Sequence, residues 1–214
     1  MRSRFAVIGA VVAIVAAATS AAISPTIAGN IIDEWANAKA PPPPPELKPV
    51  TIDPKTTALL MLDLFNPNCT RRPRCIASMP TLKKLLTEAR AQGVLVIYSV
   101  YGKFTAADIM TDIAPVTGEP LVRSNVDKFA STDLDKILKD KAIQSVIVTG
   151  TAAHGAVLYT ASTAAQKGFN VIIPVDGMSS ENLYFEQVSA WLLANGTGGI
   201  GPKVTLTRSD MIKF

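Results

Sequence analysis

Two stretches of the chain place polar groups directly after apolar runs. Asp63 follows the apolar residues 58–62, and a glycine-containing turn, residues 150–156, follows the β-branched residues 146–148. Open α/β sheets bind ligands at the carboxyl ends of their strands, where the N-terminus of a following helix also attracts anions. We therefore expect Asp63 and the turn to border a pocket for a small-molecule substrate or ligand.

Cys69 and Cys75 are the two cysteines of the chain and lie in the segment that follows Asp63. In an oxidising compartment they are expected to form a disulfide, which would stabilise so short a loop by roughly 2 kcal/mol. The alternative is a thiol nucleophile near Asp63, but this segment contains no base and the second cysteine would oxidise with the first. With one histidine and no C-x-x-C motif, no metal site is expected.

A parallel sheet is needed to bring these groups to one edge. Short apolar runs predict strands, and the segments between them predict helices. The strands are predicted at residues 58–62, 94–98, 146–148, 171–173 and 204–206, and the helices begin near Ser78, Ser131 or Thr132, residue 153, and Ser179 or Ser180. Strands alternating with helices indicate an α/β fold with both sheet faces covered. Residues 64–74 and 101–122 are predicted as loops.

Residues 1–29 have the pattern of an export signal. Arg2 and Arg4 precede the apolar residues 5–18, and small residues at 19–22 offer cleavage sites. The alternative is an uncleaved membrane anchor, because no charge occurs between Arg4 and Asp33. In either case the domain is expected to be exported, as a periplasmic or secreted protein.

Residues 30–55 are predicted to be a proline-rich arm, and residues 56–214 to be the domain itself. Five consecutive prolines, residues 41–45, favour a stiff polyproline II segment. Ile31, Ile32 and Trp35 have helical spacing, so the arm is expected to pack on the domain or on a partner subunit.

The composition indicates one globular domain without a nucleic-acid site. About 170 residues remain after the N-terminal segment, which is enough for a full hydrophobic core. The net charge is only +4, and no basic stripe is interleaved with aromatic residues, so binding to nucleic acid is not expected. Residues 196–201 match G-x-G-x-x-G but follow a predicted helix and precede a strand, which is the reverse of the dinucleotide context. No cofactor is therefore expected.

Three segments together resemble the isochorismatase-like hydrolases, also called the cysteine hydrolase superfamily. The segments are LLMLDLFNPN (59–68), VRSNVDKFASTDL (122–134) and SVIVTGTAAHGAVLYTASTAAQKGFNVIIPVDGM (145–178), and the resemblance extends over roughly residues 50–214. It implies a Rossmann-like three-layer α/β/α fold with a mostly parallel sheet of about six strands. It also implies a homo-oligomer.

The resemblance implies three catalytic positions. Members of this superfamily use an Asp, a Lys and a Cys whose thiolate attacks a carbonyl or imine carbon. Asp63 takes the Asp position, Arg123 the Lys position six residues before Phe129, and Ala156 the Cys position. Ala156 has no nucleophile, so a cysteine-type amidase mechanism is not expected. Arg123 keeps the positive charge but cannot shuttle protons, and Lys128 is an alternative source of an amine.

The same resemblance assigns roles to the turn. A cis peptide is expected between Thr151 and Ala152, with the N–H groups of Ala152 and Ala156 forming an oxyanion hole. The true isochorismatases, which hydrolyse a vinyl ether, also lack the Cys and have a similar turn that includes the histidine found here as His154. The alternative for His154 is a helix N-terminal residue with local hydrogen bonds.

If the chain hydrolyses a vinyl ether, Asp63 is the acid expected to protonate it. Burial would raise the pKa of its carboxyl group, while an adjacent Arg123 would lower that pKa. The alternative for these two residues is a buried ion pair that only stabilises the end of the sheet.

Three hypotheses follow. The first is a hydrolase that works through Asp63 without covalent catalysis. The second is a catalytically inactive family member that holds an anionic small molecule near Asp63 and Arg123. The third is a structural or assembly protein joined through the arm.

Overall fold

The computed structural model describes residues 30–37 and 42–214, and the chain divides into one unit up to Pro42 and a second from Pro43 to Phe214. The described part of the first unit holds a short 3₁₀ helix at Trp35–Asn37, and the side chains of Ile31, Ile32 and Trp35 are exposed. The predicted export signal, residues 1–29, lies outside the described residues.

The second unit is built on a parallel sheet. The strands of its described residues are β1 (Val50–Thr51), β2 (Thr57–Leu62), β3 (Leu95–Val100), β4 (Leu121–Arg123), β5 (Ser145–Thr151), β6 (Asn170–Pro174), β7 (Met178–Ser179), β8 (Val204–Thr207) and β9 (Ile212–Lys213). The main sheet has the order β4-β3-β2-β5-β6-β8, and β7 adds to the far end of β5. All its strand pairs are parallel.

Helices cover both faces of this sheet. They are α1 (Asn66–Cys69), α2 (Pro73–Ala91), α3 (Leu134–Asp140), α4 (Leu158–Gln166) and α5 (Leu183–Asn195). Strand β2 is buried along its whole length, and its side chains alternate between two core clusters. One cluster is shared with α2 and the other with α3, α4 and α5. The predicted three-layer α/β/α fold is therefore confirmed.

The main sheet has seven strands where about six were expected. The additional strand is β7, which is only two residues long and pairs with Gly150 and Thr151 of β5. A segment this short has no hydrophobic periodicity that sequence reasoning can use.

Helix α2 begins earlier than predicted. It starts at Pro73 instead of near Ser78, and Pro80 lies inside it. A proline at the first helical position loses no hydrogen bond, which makes Pro73 a favourable start. Residues 64–74, expected to be a loop, therefore contain α1 and the first two residues of α2.

Part of the predicted arm, residues 43–55, belongs to the second compact unit. Residues before Thr56 are held by backbone hydrogen bonds. The N–H of Lys48 donates to the carbonyl of Leu206, and β1 pairs in parallel with β9 near the C-terminus. These contacts join distant parts of the chain and leave no local sequence signal.

Among the described residues, no helix has the length and apolar character needed to cross a membrane.

Candidate active site

Asp63 is the first residue after β2, at the carboxyl edge of the sheet. Its backbone has φ of 54°, in the left-handed region that aspartate tolerates better than most residues. The Ser99 hydroxyl, from β3, donates to Asp63 Oδ1 at 2.8 Å, and the Asp63 N–H lies 3.2 Å from both Oγ and the carbonyl oxygen of Ser99. The neighbouring strand therefore fixes both the backbone and the carboxylate of Asp63.

Lys128 forms a buried ion pair with Asp63. Its Nζ lies 2.8 Å from Asp63 Oδ2, and the exposed fractions of the two side chains are 0% and 4%. The same Nζ donates to the carbonyl oxygens of Ser124, at 3.0 Å, and Asn125, at 2.7 Å. Each of the three ammonium hydrogens can thus have an acceptor, as a buried charge requires.

The backbone around Lys128 forms a tight loop, residues 124–130, which we call the Lys128 loop. The Ser124 hydroxyl lies 2.8 Å from the carbonyl of Asp127 and 2.9 Å from that of Ala130, and so closes the loop. The Lys128 N–H donates to Thr160 Oγ1 of α4 at 3.1 Å. The lysine is therefore anchored between the end of β2 and the helix that follows the turn.

Burial shifts the two pKa values toward each other. It raises the pKa of the Asp63 carboxyl group, and the attraction of Lys128 and the hydrogen bond from Ser99 oppose that rise. Burial likewise lowers the pKa of the Lys128 ammonium group against the attraction of Asp63. Proton transfer within the pair consequently costs less than it would between exposed groups.

The structure does not bring Arg123 to Asp63. The Arg123 side chain is exposed, and one guanidinium nitrogen donates to the carbonyl of Gly102 at 2.5 Å. Successive side chains of a strand point to opposite faces, and in β4 the preceding residue, Val122, is the buried one. The contact expected between Arg123 and Asp63 is therefore not formed, and Lys128, considered only as an alternative, makes it instead.

The turn after β5 lies beside Asp63. Gly150 is paired with Leu62, the residue before Asp63, so the two strands end at the same level of the sheet. The peptide between Thr151 and Ala152 is cis, as expected. Residues Ala153–Val157 then form a π-type turn that leads into α4, with Ala156 buried in it. The turn and the Asp63–Lys128 pair are thus neighbours at one edge.

Gly150 allows this close approach. Its φ is 128°, and a Cβ atom at this position would lie 2.2 Å from the carbonyl oxygen of Leu62. We predict that Gly150→Ala lowers the free energy of unfolding by about 2–4 kcal/mol, through both steric overlap and backbone strain. Chemical denaturation of the two proteins measures the difference.

Gly168→Ala is the matched control for this prediction. Gly168 also has a positive φ, 96°, but a Cβ atom there would meet nothing within 4 Å. Only backbone strain applies, so the expected loss is about 1 kcal/mol. Equal losses for the two variants would contradict the close packing of Gly150 on β2.

The predicted disulfide between Cys69 and Cys75 is present, and both residues are buried. It joins α1 to the first turn of α2 and encloses Arg72. Asn68, in α1, donates from its side chain to the carbonyl of Asp63 at 2.8 Å, and Arg72 in turn donates to the carbonyl of Asn68 at 3.1 Å. The disulfide loop therefore supports Asp63, and it does so through the side chain of Asn68.

His154, which lies in the turn, belongs to a polar network with Ser180 and Glu181. Its Nδ1 lies 2.7 Å from Ser180 Oγ, which donates to Glu181 at 2.8 Å, and its ring stacks on Phe185 at 4.2 Å. Arg72 pairs with the same glutamate at 2.6 Å. Partial burial raises the pKa of Glu181, but the hydrogen bonds from Ser180 and Arg72 outweigh it and hold that pKa below its usual value. His154 therefore links the turn to the segment before α5, and its bonds are not local ones.

Thr151 and Ala152 lie within the turn. Ala152 is half-buried, and the Thr151 hydroxyl donates to the carbonyl of Ser179 at 3.1 Å, which ties the turn to β7. Within residues 30–37 and 42–214, no three His, Cys, Asp or Glu side chains are grouped as metal ligands.

Solved structures share this fold at low sequence identity. A cysteine hydrolase from Pseudomonas syringae pv. phaseolicola superposes with a TM-score of 0.67 at 19% identity, over 78% of this chain and 94% of that one. An isochorismatase-like hydrolase from Alkaliphilus metalliredigens gives a TM-score of 0.65 at 22% identity, over 72% and 95%.

Curated relatives match parts of the sequence. The N-carbamoylsarcosine amidase of an Arthrobacter species is 30% identical over 50% of this chain and 53% of its own length. The secreted isochorismatase effector Isc1 of Verticillium dahliae is 29% identical over 50% of this chain and 62% of its own length. The matches thus span between half and two thirds of these relatives. The Isochorismatase domain model matches residues 57–201, which include Asp63, Lys128 and the turn, and the chain belongs to the isochorismatase family.

Proposed function

We propose that the chain is a small-molecule hydrolase that transfers protons through Asp63 and forms no covalent intermediate. The observation that carries this proposal is the buried Asp63–Lys128 pair beside the turn that contains Ala156. The resemblance assigns the family's cysteine to this alanine. The pair is held by hydrogen bonds to β3, α1, the Lys128 loop and α4, which is the preorganisation that proton transfer to a substrate needs.

In the proposed reaction, Asp63 acts as a carboxylic acid. It donates its proton to the carbon of a vinyl ether or to the leaving oxygen of an ester, and water adds to the carbon that becomes electron-deficient. The ammonium group of Lys128 stabilises the carboxylate formed at this step. The attacking water then gives up a proton that restores the acid, so that the sum is hydrolysis.

The absence of a thiol at residue 156 favours this route over amide cleavage. Amides have a poor leaving group, and the family's route to them uses a cysteine that this chain lacks at that position. The Arthrobacter relative is named as an amidase, so amides belong in the substrate screen. Vinyl ethers and activated esters are the substrates that we expect to react.

The test is a screen of vinyl ethers, esters and amides with the full chain, repeated with Asp63→Asn. We predict that this change lowers kcat/KM by about 10²–10⁴-fold, which is the usual contribution of a positioned acid or base. Asp112→Asn, at an exposed carboxylate paired with Lys83, is the control and should leave the rate unchanged. If Asp63→Asn retains the wild-type turnover, the proposed mechanism is wrong.

The pH profile separates an acid role from a base role. Because burial raises the pKa of Asp63, its acid form persists to higher pH than that of an exposed aspartate. If Asp63 donates a proton, kcat/KM falls as the pH rises through the pKa of the free enzyme. A rate that instead falls on acidification would assign Asp63 as a base that activates water.

The second candidate function is that of a catalytically inactive protein that binds an anionic small molecule. The observation that favours it is Ala156, which removes the nucleophile. The hypothesis had also relied on Arg123 beside Asp63, and this contact is not formed. A wild-type protein that turns over nothing in the screen, yet binds an anion, would establish this alternative. The assembly hypothesis relies on Ile31, Ile32 and Trp35, which are exposed.

Export and self-association belong to the same proposal. The disulfide, the apolar residues 5–18 and a secreted relative support an exported protein. Self-association is supported by α5, along which Leu183, Tyr184, Trp191 and Leu192 are exposed. Exposed large apolar side chains of this kind are typical of protein–protein contact sites.

A further inference from the structure

A cavity of about 460 Å³ lies at the carboxyl ends of β3 and β4. Its volume is within the range of small-molecule sites. It is lined by Gly102, Arg123, Ser124, Asn125, Val126, Ala130 and Ser131. The cavity therefore lies on the same edge of the sheet as Asp63, next to the strands β3 and β2 that position the ion pair.

Arg123 gives this cavity a positive charge. In residues 30–37 and 42–214, Arg72, Arg74, Arg90 and Arg208 each pair with a carboxylate. Arg123 has no such pair in this part of the chain; its guanidinium donates to the carbonyl of Gly102. The remaining N–H groups of Arg123 suit the two oxygens of a carboxylate or phosphate, which a guanidinium binds with two parallel hydrogen bonds.

The wall of the cavity is also part of the ion-pair site. Ser124 and Asn125 line the cavity, and their carbonyl oxygens accept hydrogen bonds from Lys128 Nζ. The Lys128 loop is closed by its own hydrogen bonds, so this wall is formed before any ligand arrives. Ser131, which also lines the cavity, has φ of 56°, an uncommon backbone conformation for serine.

We propose that this cavity is the subsite that binds the anionic group of the enzyme's substrate. The substrate class is then a small organic molecule that carries a carboxylate or phosphate. Arg123 binds this charged group, and the hydrolysable bond is directed toward Asp63. The claim that the hydrolysable bond is directed toward Asp63 rests on the proposed hydrolase function. The claim that Arg123 binds an anion does not, because this binding is measurable without turnover.

The first experiment measures binding of malonate and of inorganic phosphate, separately, to the full chain by calorimetry. The expected result is that Arg123→Gln weakens binding of the preferred anion about 10-fold or more, since hydrogen bonds to a charged group are lost. Arg71→Gln is the matched control, because the Arg71 guanidinium also donates to one backbone carbonyl, that of Pro67, on an exposed surface. Binding that Arg123→Gln leaves intact, or no binding of either anion, overturns the subsite.

The identity of the preferred anion separates the two sources of this chemistry. Tighter binding of malonate assigns a carboxylate substrate, and tighter binding of phosphate assigns a phosphate ester or a phosphorylated acid. Asp112→Asn should leave the binding of either anion unchanged, because Asp112 does not line the cavity and pairs with Lys83 on an exposed surface.

The second experiment uses any anionic substrate found in the screen. Arg123→Gln should raise KM about 10-fold or more with kcat changed less than about twofold, which is the pattern for a contact kept from ground state to transition state. A neutral analogue should show no dependence on Arg123. Turnover of anionic substrates that ignores Arg123 overturns the subsite but leaves the hydrolase. Binding that depends on Arg123 without any turnover keeps the subsite and overturns the hydrolase.

Discussion

Lys128→Met is expected to lower the free energy of unfolding by about 3–5 kcal/mol, because it leaves the Asp63 carboxylate buried without its counter-ion. Methionine keeps the length and much of the volume of the lysine stem, so packing changes little. The hydroxyl of Ser99 remains as a hydrogen-bond donor to Asp63 but carries no charge. Urea denaturation of the wild type and the variant measures the loss.

Two further variants test the cause of this loss. Lys139→Met removes an exposed lysine that pairs with Asp135 at 2.7 Å, and should cost no more than about 1 kcal/mol. The double variant Asp63→Leu with Lys128→Met removes both charges and should recover a large part of the stability, since no isolated charge remains buried. If Lys128→Met proves as mild as Lys139→Met, the buried pair does not hold the site as described.

Ala156→Cys is expected to create a reactive thiol. Ala156 lies in the turn beside the Asp63–Lys128 pair, at the position that the sequence resemblance assigns to the family's nucleophile. A neighbouring ammonium group lowers the pKa of a thiol and favours its thiolate form. We predict that iodoacetamide alkylates this thiol at a rate on the order of 10²-fold higher than that of a buried cysteine elsewhere. Mass spectrometry of the alkylated protein over time measures this rate. Cleavage of activated esters through a covalent intermediate should accompany it.

Ala165→Cys is the control for this gain of function. Ala165 is as buried as Ala156, at 4% against 5% exposed, but lies in the last turn of α4. Its thiol should react slowly and give no turnover. Adding Lys128→Met to Ala156→Cys should remove most of the gain. If the two cysteines react at equal rates, or if the gain survives the loss of Lys128, the turn and the ion pair do not form one site.

Much of this site could be predicted from the sequence because its parts are local. The strand before Asp63 is a buried apolar run, and Gly168 closely follows the end of the helix after the turn. The disulfide follows from two cysteines in one short segment. Each of these signals depends on near neighbours in the chain, and hydrophobic patterns report such order well.

The contacts of Lys128 could not be predicted in the same way. The spacing before Phe129 selects Arg123, but the Lys128 loop folds back through the hydrogen bonds of Ser124, and so directs a different side chain to Asp63. Helix α5 is a second example. Its cap is Asn182, since Ser180 is engaged with His154 instead. Both outcomes depend on contacts between distant segments, which local propensity does not report.

The position of Lys128 has a consequence for how this protein tolerates mutation. The buried carboxylate of Asp63 needs one cation beside it, and Lys128 is that cation. Residue 123 is thereby released from the constraint, so that substitutions there do not unbalance the core. A substitution at residue 63 or at residue 128 alone would instead leave a buried charge without its partner.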